Sequence, residues 1–170
     1  NSCFSNKLVF LGCSFTFGDG INDWDTHPYL VQNQLAEVNI ELCVENWGVG
    51  GYSPLHFYLL TDKIILDSTI KYVIINYATF QDERVSLTRR RMKDLITFAK
   101  ESNLSKYKIP YVTKESDNII IKYKYLDYNS LPLQKKSALV NLIDDIYNNF
   151  MQNNDKNHNL SISLLKATIE

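Results

Sequence analysis

The sequence predicts an α/β protein: a three-layer α/β/α arrangement around a parallel sheet, with a β-hairpin set into its second half. Three observations carry this. Runs at 8–12, 41–46 and 70–78 have the length and apolar content of strands, and the segments between them carry helical spacing and helix-start signals. Strand and helix in alternation make a parallel sheet with right-handed crossovers. After residue 102 the alternation stops, and two strand-like runs, 109–113 and 118–126, flank the polar turn Lys114-Glu115-Ser116-Asp117 as the arms of a hairpin do.

The first strand, Leu8-Val9-Phe10-Leu11-Gly12, is apolar throughout, as a strand covered on both faces is. Gly12 ends it and hands over to Cys13-Ser14-Phe15-Thr16-Phe17-Gly18-Asp19-Gly20. A polar connection with one large aromatic, Trp24, follows. Thr26 or His27 can cap the next helix and Pro28 suits its first turn. Tyr29, Leu30, Leu35 and Ala36 give that helix an apolar face to about residue 38. His27 therefore reads as a capping or surface residue. The second strand, 41–46, runs into Trp47-Gly48-Val49-Gly50-Gly51-Tyr52, where clustered glycines permit a close backbone approach or a positive φ. Ser53-Pro54 opens a helix with serine as cap and proline at the first position. Leu55, Tyr58, Leu59, Ile65 and Leu66 supply its apolar side, and His56 falls on its surface.

The third strand, 70–78, is apolar and β-branched. A helix is expected over about 82–102, with Val85, Leu87, Leu95, Ile96 and Ala99 toward the core and Arg89-Arg90-Arg91 as a solvated face. The hairpin, about 108–128, alternates Ile119, Ile121, Tyr123 and Tyr125 against Ile120, Lys122 and Lys124, which predicts one covered and one wet face. An amphipathic helix over 133–152 uses Leu139, Leu142, Ile143, Ile146 and Phe150. A polar loop, 153–159, and a final helix from 160 complete the chain. The order is flavodoxin-like. No repeat or linker divides it, so a single domain over 1–170 with an insertion at 103–132 is expected.

Composition narrows the function classes. The 170 residues suffice for one domain with a core. A net charge of −1 without a basic stripe argues against a nucleic-acid partner. No apolar run approaches the roughly 20 residues of a membrane span. The chain opens at Asn1-Ser2-Cys3, without an initiator methionine or a signal peptide, which leaves the compartment unknown. The three cysteines form no CxxC and no paired Cys/His spacing, so neither a metal site nor a disulfide framework is expected. Cys13 and Cys43 are expected as buried thiols. Oligomeric state is not set by anything in the sequence.

Open parallel sheets place their ligands at the carboxyl ends of strands. There the first strand offers Ser14, the second Gly50-Gly51, and the third Gln81 with Asp82. A hydroxyl, a backbone N–H and a side-chain amide converging at one edge would make a nucleophile with an oxyanion hole. Plainer readings stand beside it. Ser14 can cap a turn, Gln81 can lie on the surface, and a glycine loop before a helix start can hold an anion, though it matches no Walker or dinucleotide-binding pattern.

Gly12-Cys13-Ser14-Phe15-Thr16-Phe17-Gly18 resembles the first block, G-x-S-x-T-x-G, of the SGNH (GDSL-type) esterases and lipases. Asn46-x-Gly48-x-x-Gly51 resembles their second block and follows the second strand, as it does there. The resemblance covers roughly the first half of the chain. It implies a carboxylic ester hydrolase with Ser14 as nucleophile, an acyl-enzyme intermediate, and the Gly51 N–H as an oxyanion donor. It implies no metal and no organic cofactor, and a small-molecule or carbohydrate ester as substrate.

The family's third block reads G-x-N-D, where this chain has Ala78-Thr79-Phe80-Gln81-Asp82, so either Gln81 stands in for the second oxyanion donor with its longer amide or that donor is lost. The family's base is a histidine in a D-x-x-H block near the C-terminus. Asp155-Lys156-Asn157-His158 has that spacing, but the two further parallel strands that precede it in the family are not found. Either Asp155 and His158 are the acid and base, or the family's block lies beyond Glu170 and the fold is incomplete at its C-terminus. A non-catalytic module of the same fold, binding carbohydrate or a protein partner, stays open, as does a carbohydrate O-acyltransferase.

Overall fold

The computed structural model describes residues 6–102, 106–116, 118–126, 128, 130–134, 136–150 and 154–169. Cys3, Asp117 and 151–153 lie outside the described residues, as does the side chain of Ala99. The chain forms two compact units, 6–81 with 161–169, and 82–160.

The first unit is built on a parallel three-stranded sheet of β1 (Lys7–Gly12), β2 (Cys43–Gly48) and β3 (Ile70–Ile75), in the order β2-β1-β3. Register pairs Lys7 with Cys43 and Gly12 with Gly48 on one side of β1, and Leu8 with Tyr72 on the other. The central strand is apolar on both sides because both are covered. Val9 and Leu11 pack with Phe57 in a core joined by Trp47, Leu60, Ile64 and Leu165. Phe10, one residue out of phase, meets the His27 ring edge-on with centroids 5.4 Å apart. Helices therefore cover both faces. α1 (Ser14–Phe17) and α2 (His27–Glu37) follow β1, while α3 (Pro54–Leu59) and α4 (Thr61–Leu66) follow β2.

Three expectations change in this unit. The helix after Ser53 is two short helices, because the core draws in Leu55 and Phe57 and then Leu60 and Ile64, and this leaves Ile65 and Leu66 outside. β3 stops at Ile75 and exposes Tyr72, Val73 and Ile74. Cys13 is a buried thiol outside any disulfide, as expected, but Cys43 is disulfide-bonded.

The second unit contains α5 (Arg89–Ser102), an antiparallel hairpin of β4 (Lys108–Glu115) and β5 (Asn118–Tyr125), and α6 (Ala138–Phe150). α7 (Asn154–Ile169) begins here, and its last part belongs to the first unit. The hairpin falls where the sequence put it, with Lys108 opposite Tyr125 and Glu115 opposite Asn118. The buried Val112 N–H donates to the Val85 carbonyl, 2.8 Å away, and so fixes the hairpin to the segment before α5.

Helix boundaries moved for local reasons. A 3-10 turn occupies Thr79–Arg84, and α5 starts only after Thr88, whose hydroxyl accepts the Arg91 N–H at 3.1 Å. α6 starts after Ser137 because Leu133 sits at φ 62°, a left-handed conformation that a right-handed helix does not contain. The stretch predicted as polar loop, 153–159, is helical from Asn154.

The interior of this unit is polar where α5 meets α6. The Asp144 carboxylate, with no solvent exposure, receives Arg89 at 2.6 Å and Lys93 at 2.9 Å. Tyr128 Oη and Gln134 Nε2, each at 2.7 Å, and Asn148 Nδ2 at 3.2 Å complete its shell. Arg89 is therefore not part of a solvated face. Its guanidinium lies over the Tyr128 ring, 4.4 Å from the centroid. No helix among the described residues is long and apolar enough to cross a membrane.

Candidate functional site

The site is assembled where β1 ends. Gly12 has no room for a side chain, since a Cβ there would lie 1.8 Å from Thr16 Oγ1. Ser14 is the first residue of α1 and is half-buried. The turn that carries it is closed by its own carbonyl, which accepts the N–H groups of Gly18 at 2.9 Å and Asp19 at 3.0 Å. Gly18, at φ 93°, ends the helix in the left-handed conformation that such caps require.

The loop after β2 lies directly on this turn. Asn46 bridges them: its Oδ1 accepts the Gly48 N–H at 2.9 Å, and its Nδ2 donates to the Thr16 carbonyl at 2.8 Å. The Val49 N–H donates to the Gly12 carbonyl at 3.1 Å. A Cβ on Gly48 would come within 2.4 Å of the Phe17 nitrogen and 2.8 Å of the Thr16 carbonyl carbon. Gly51 stands at φ 86°, and among the described residues its N–H donates to no backbone carbonyl. The glycines of the second block thus do different jobs, Gly48 for backbone contact and Gly51 for a left-handed turn.

That contact gives a direct test. Gly48→Ala meets rigid backbone first, with Asn46 Oδ1 also 2.9 Å from the added Cβ, and is expected to lose about 1–3 kcal/mol. Gly50→Ala has nothing within 4 Å of the added methyl and is expected to stay within about 0.5 kcal/mol of wild type. Urea denaturation of the two variants side by side checks this. Equal losses would remove the special role of Gly48.

The residue just after the third strand is Asn76, which the sequence reading did not single out. Its N–H donates to the Leu11 carbonyl at 2.8 Å and its Nδ2 to Thr16 Oγ1 at 3.1 Å. The same Nδ2 is 2.7 Å from His27 Nε2, so that nitrogen accepts and the proton of a neutral ring sits on Nδ1. Gln81 is not on the surface. It is 1% exposed, donates from Nε2 to the Asn76 carbonyl at 3.4 Å, and among the described residues has no hydrogen-bond partner for its buried Oε1.

Around Ser14 the surface is aromatic. Phe15 is exposed and meets Phe80 edge-on, with centroids 5.4 Å apart. A cleft of about 330 Å³ opens beside α1, lined by Phe17, Asp23, Tyr29, Gln32, Val44 and Asn46 among others. His56, expected on a helix surface, closes a capping box with Ser53, whose N–H reaches Nδ1 at 3.2 Å, and it stacks on Tyr52 at 4.6 Å.

In the second unit, His158 Nδ1 is 2.9 Å from the Asp82 carboxylate. The Asp82 side chain is 9% exposed and that of His158 47%. The carboxylate brought to His158 is therefore that of the third block, while Asp155 lies exposed one helical turn earlier on α7. Sequence spacing pointed to Asp155, because D-x-x-H pairs neighbours along the chain, whereas Asp82 is 76 residues away.

No family model and no curated protein matches the chain. Among solved structures, TesA is similar over 58% of this chain and 54% of its own length, with a TM-score of 0.43 and 16% identity. AlinE4, an SGNH-hydrolase family esterase, is similar over 60% of this chain and 55% of its own, with a TM-score of 0.39 and 21% identity. The chain spans about half the length of these structures.

Proposed function

We propose that the chain carries the nucleophile and oxyanion cradle of a serine-dependent ester hydrolase. The observation that supports this is the locking of the 46–51 loop onto the Ser14 turn, through Asn46, Gly48 and Val49. In this reading Ser14 Oγ gives up its proton to a base and attacks the carbonyl carbon of an ester. The Gly51 N–H receives the developing oxyanion. The alkoxide leaves with a proton, and water hydrolyses the acyl-serine by the same steps in reverse order of partners. His158 is proposed as the base, with the Asp82 carboxylate 2.9 Å from its Nδ1 as the group that orients the ring. Small-molecule and carbohydrate esters are the proposed substrates.

The test is covalent. An alkyl fluorophosphonate is expected to label the chain once, on the Ser14 peptide, with loss of fluoride. Absence of label under conditions that saturate a control serine hydrolase overturns the reading.

One observation favours a second reading. Gln81 spends its amide on the Asn76 carbonyl inside the protein, which leaves one of the two side-chain and backbone donors expected for an oxyanion hole. A non-catalytic module of the same architecture would bind a carbohydrate or protein partner, and Ser14 would remain unlabelled.

A further inference from the structure

α6 is turned inside out relative to an ordinary amphipathic helix. Its polar residues Asp144 and Asn148 are buried, and its apolar stripe faces solvent. Leu139, Leu142, Ile143, Ile146, Tyr147 and Phe150 are each 51% to 86% exposed. Their spacing, i, i+3, i+4, i+7, i+8 and i+11, puts all six on one face. At roughly 200 Å² for a large side chain, about three-fifths exposed, they present about 700 Å². Typical monomers have a largest apolar patch of about 300–600 Å², and a stable interface takes about 800 Å² from each partner.

We propose that α6 pairs antiparallel with α6 of a second copy of this chain across a two-fold axis. The stripe is symmetric about the midpoint between Asp144 and Asp145. An antiparallel two-fold therefore sets Leu139 against Phe150, Leu142 against Tyr147, and Ile143 against Ile146 of the second copy. Every apolar residue meets an apolar residue, and at the ends each leucine meets an aromatic. That self-complementarity is what an isologous interface requires.

Charge points the same way. α6 carries no lysine or arginine. Its exposed acid, Asp145, is held by Lys93 at 2.7 Å, so two copies bring no unbalanced charge together. A helix that lies on a membrane needs cations on its polar flank, and this one has asparagine and aspartate there. The proposal does not depend on the ester-hydrolase reading.

Sedimentation equilibrium of the wild-type chain at about 50 micromolar is expected to give twice the chain mass, which corresponds to a Kd in the micromolar range, about −8 kcal/mol. Ile143→Lys and Ile146→Asp each place a charge against an isoleucine, and each is expected to weaken dimerisation on the order of a hundredfold. Both sites are exposed, so far-UV circular dichroism is expected to match wild type. Mixing the two variants sets the introduced ammonium of one against the introduced carboxylate of the other across the axis, and restores a dimer of one copy of each. A monomeric wild-type chain overturns the proposal. So do variants that remain dimeric, a mixture that fails to pair, or co-flotation of the wild-type chain with phosphatidylcholine–phosphatidylserine vesicles in place of self-association.

Discussion

Ser14→Ala is expected to lower kcat/KM for p-nitrophenyl acetate by about ten-thousandfold or more, to the level of the buffer reaction. In the proposed reading the acyl group is carried on Ser14 Oγ, which alanine lacks. Cys13, the adjacent thiol, is only 2% exposed and so is closed to an ester. The fold is expected to survive the change, since Ser14 is half-buried at the rim of the sheet and the turn is held by its main chain. His158→Gln, which keeps size and polarity but accepts no proton, is expected to fall by a similar factor. Initial rates for the three proteins over a range of pH decide the matter. Equal turnover by wild type and Ser14→Ala sinks the hydrolase reading, while loss in Ser14→Ala alone assigns the base elsewhere.

Asp144→Ala is expected to cost the second unit about 3 kcal/mol, the lower end of what breaking a buried ion pair takes. The lower end applies because Arg89 and Lys93 are each 26% exposed and water takes over part of their solvation. Gln134 and Asn148 lose an acceptor at the same time. The pH dependence has a definite sign. Burial alone would raise the Asp144 carboxyl, but the Tyr128 hydrogen bond and the Lys93 and Arg89 cations outweigh it and hold the carboxyl well below the usual carboxylate range. A carboxyl lowered in the folded state contributes its stability above the unfolded value, about 4, and loses it as pH falls through the folded one. Wild-type melting temperature is therefore expected to drop steeply below about pH 4. Asp144→Ala should start lower at pH 7 and show a shallower decline. Parallel acid limbs in the two proteins would show that this carboxylate carries no such linkage.

The parts of the site that could be read early are those built from neighbours along the chain. Gly12 and Ser14 share a turn, and Asn46, Gly48 and Gly51 share a loop, so spacing reports their geometry. The contacts that join these pieces cross long separations. Asn76 reaches Thr16 over 60 residues, and Asp82 reaches His158 over 76. No local period encodes such a pair, and for His158 the nearby Asp155 offered a sequence-adjacent alternative. Gln81 shows the same limit from the other side. Its place after the third strand was legible, but its burial depends on the packing above it.

Periodicity and turn chemistry alone determined the three parallel strands, the hairpin at 108–125, and the serine and glycine turns at the strand ends. Each follows from steric preferences of a few consecutive residues. Only the tertiary structure decided which side of α6 goes inward. Its sequence is amphipathic with either side available, and the apolar side is the ordinary choice for burial. The buried side is instead the one bearing Asp144, because Arg89, Lys93, Tyr128 and Gln134, brought from elsewhere in the chain, supply with Asn148 of the same helix the hydrogen bonds and countercharge that a carboxylate needs away from water.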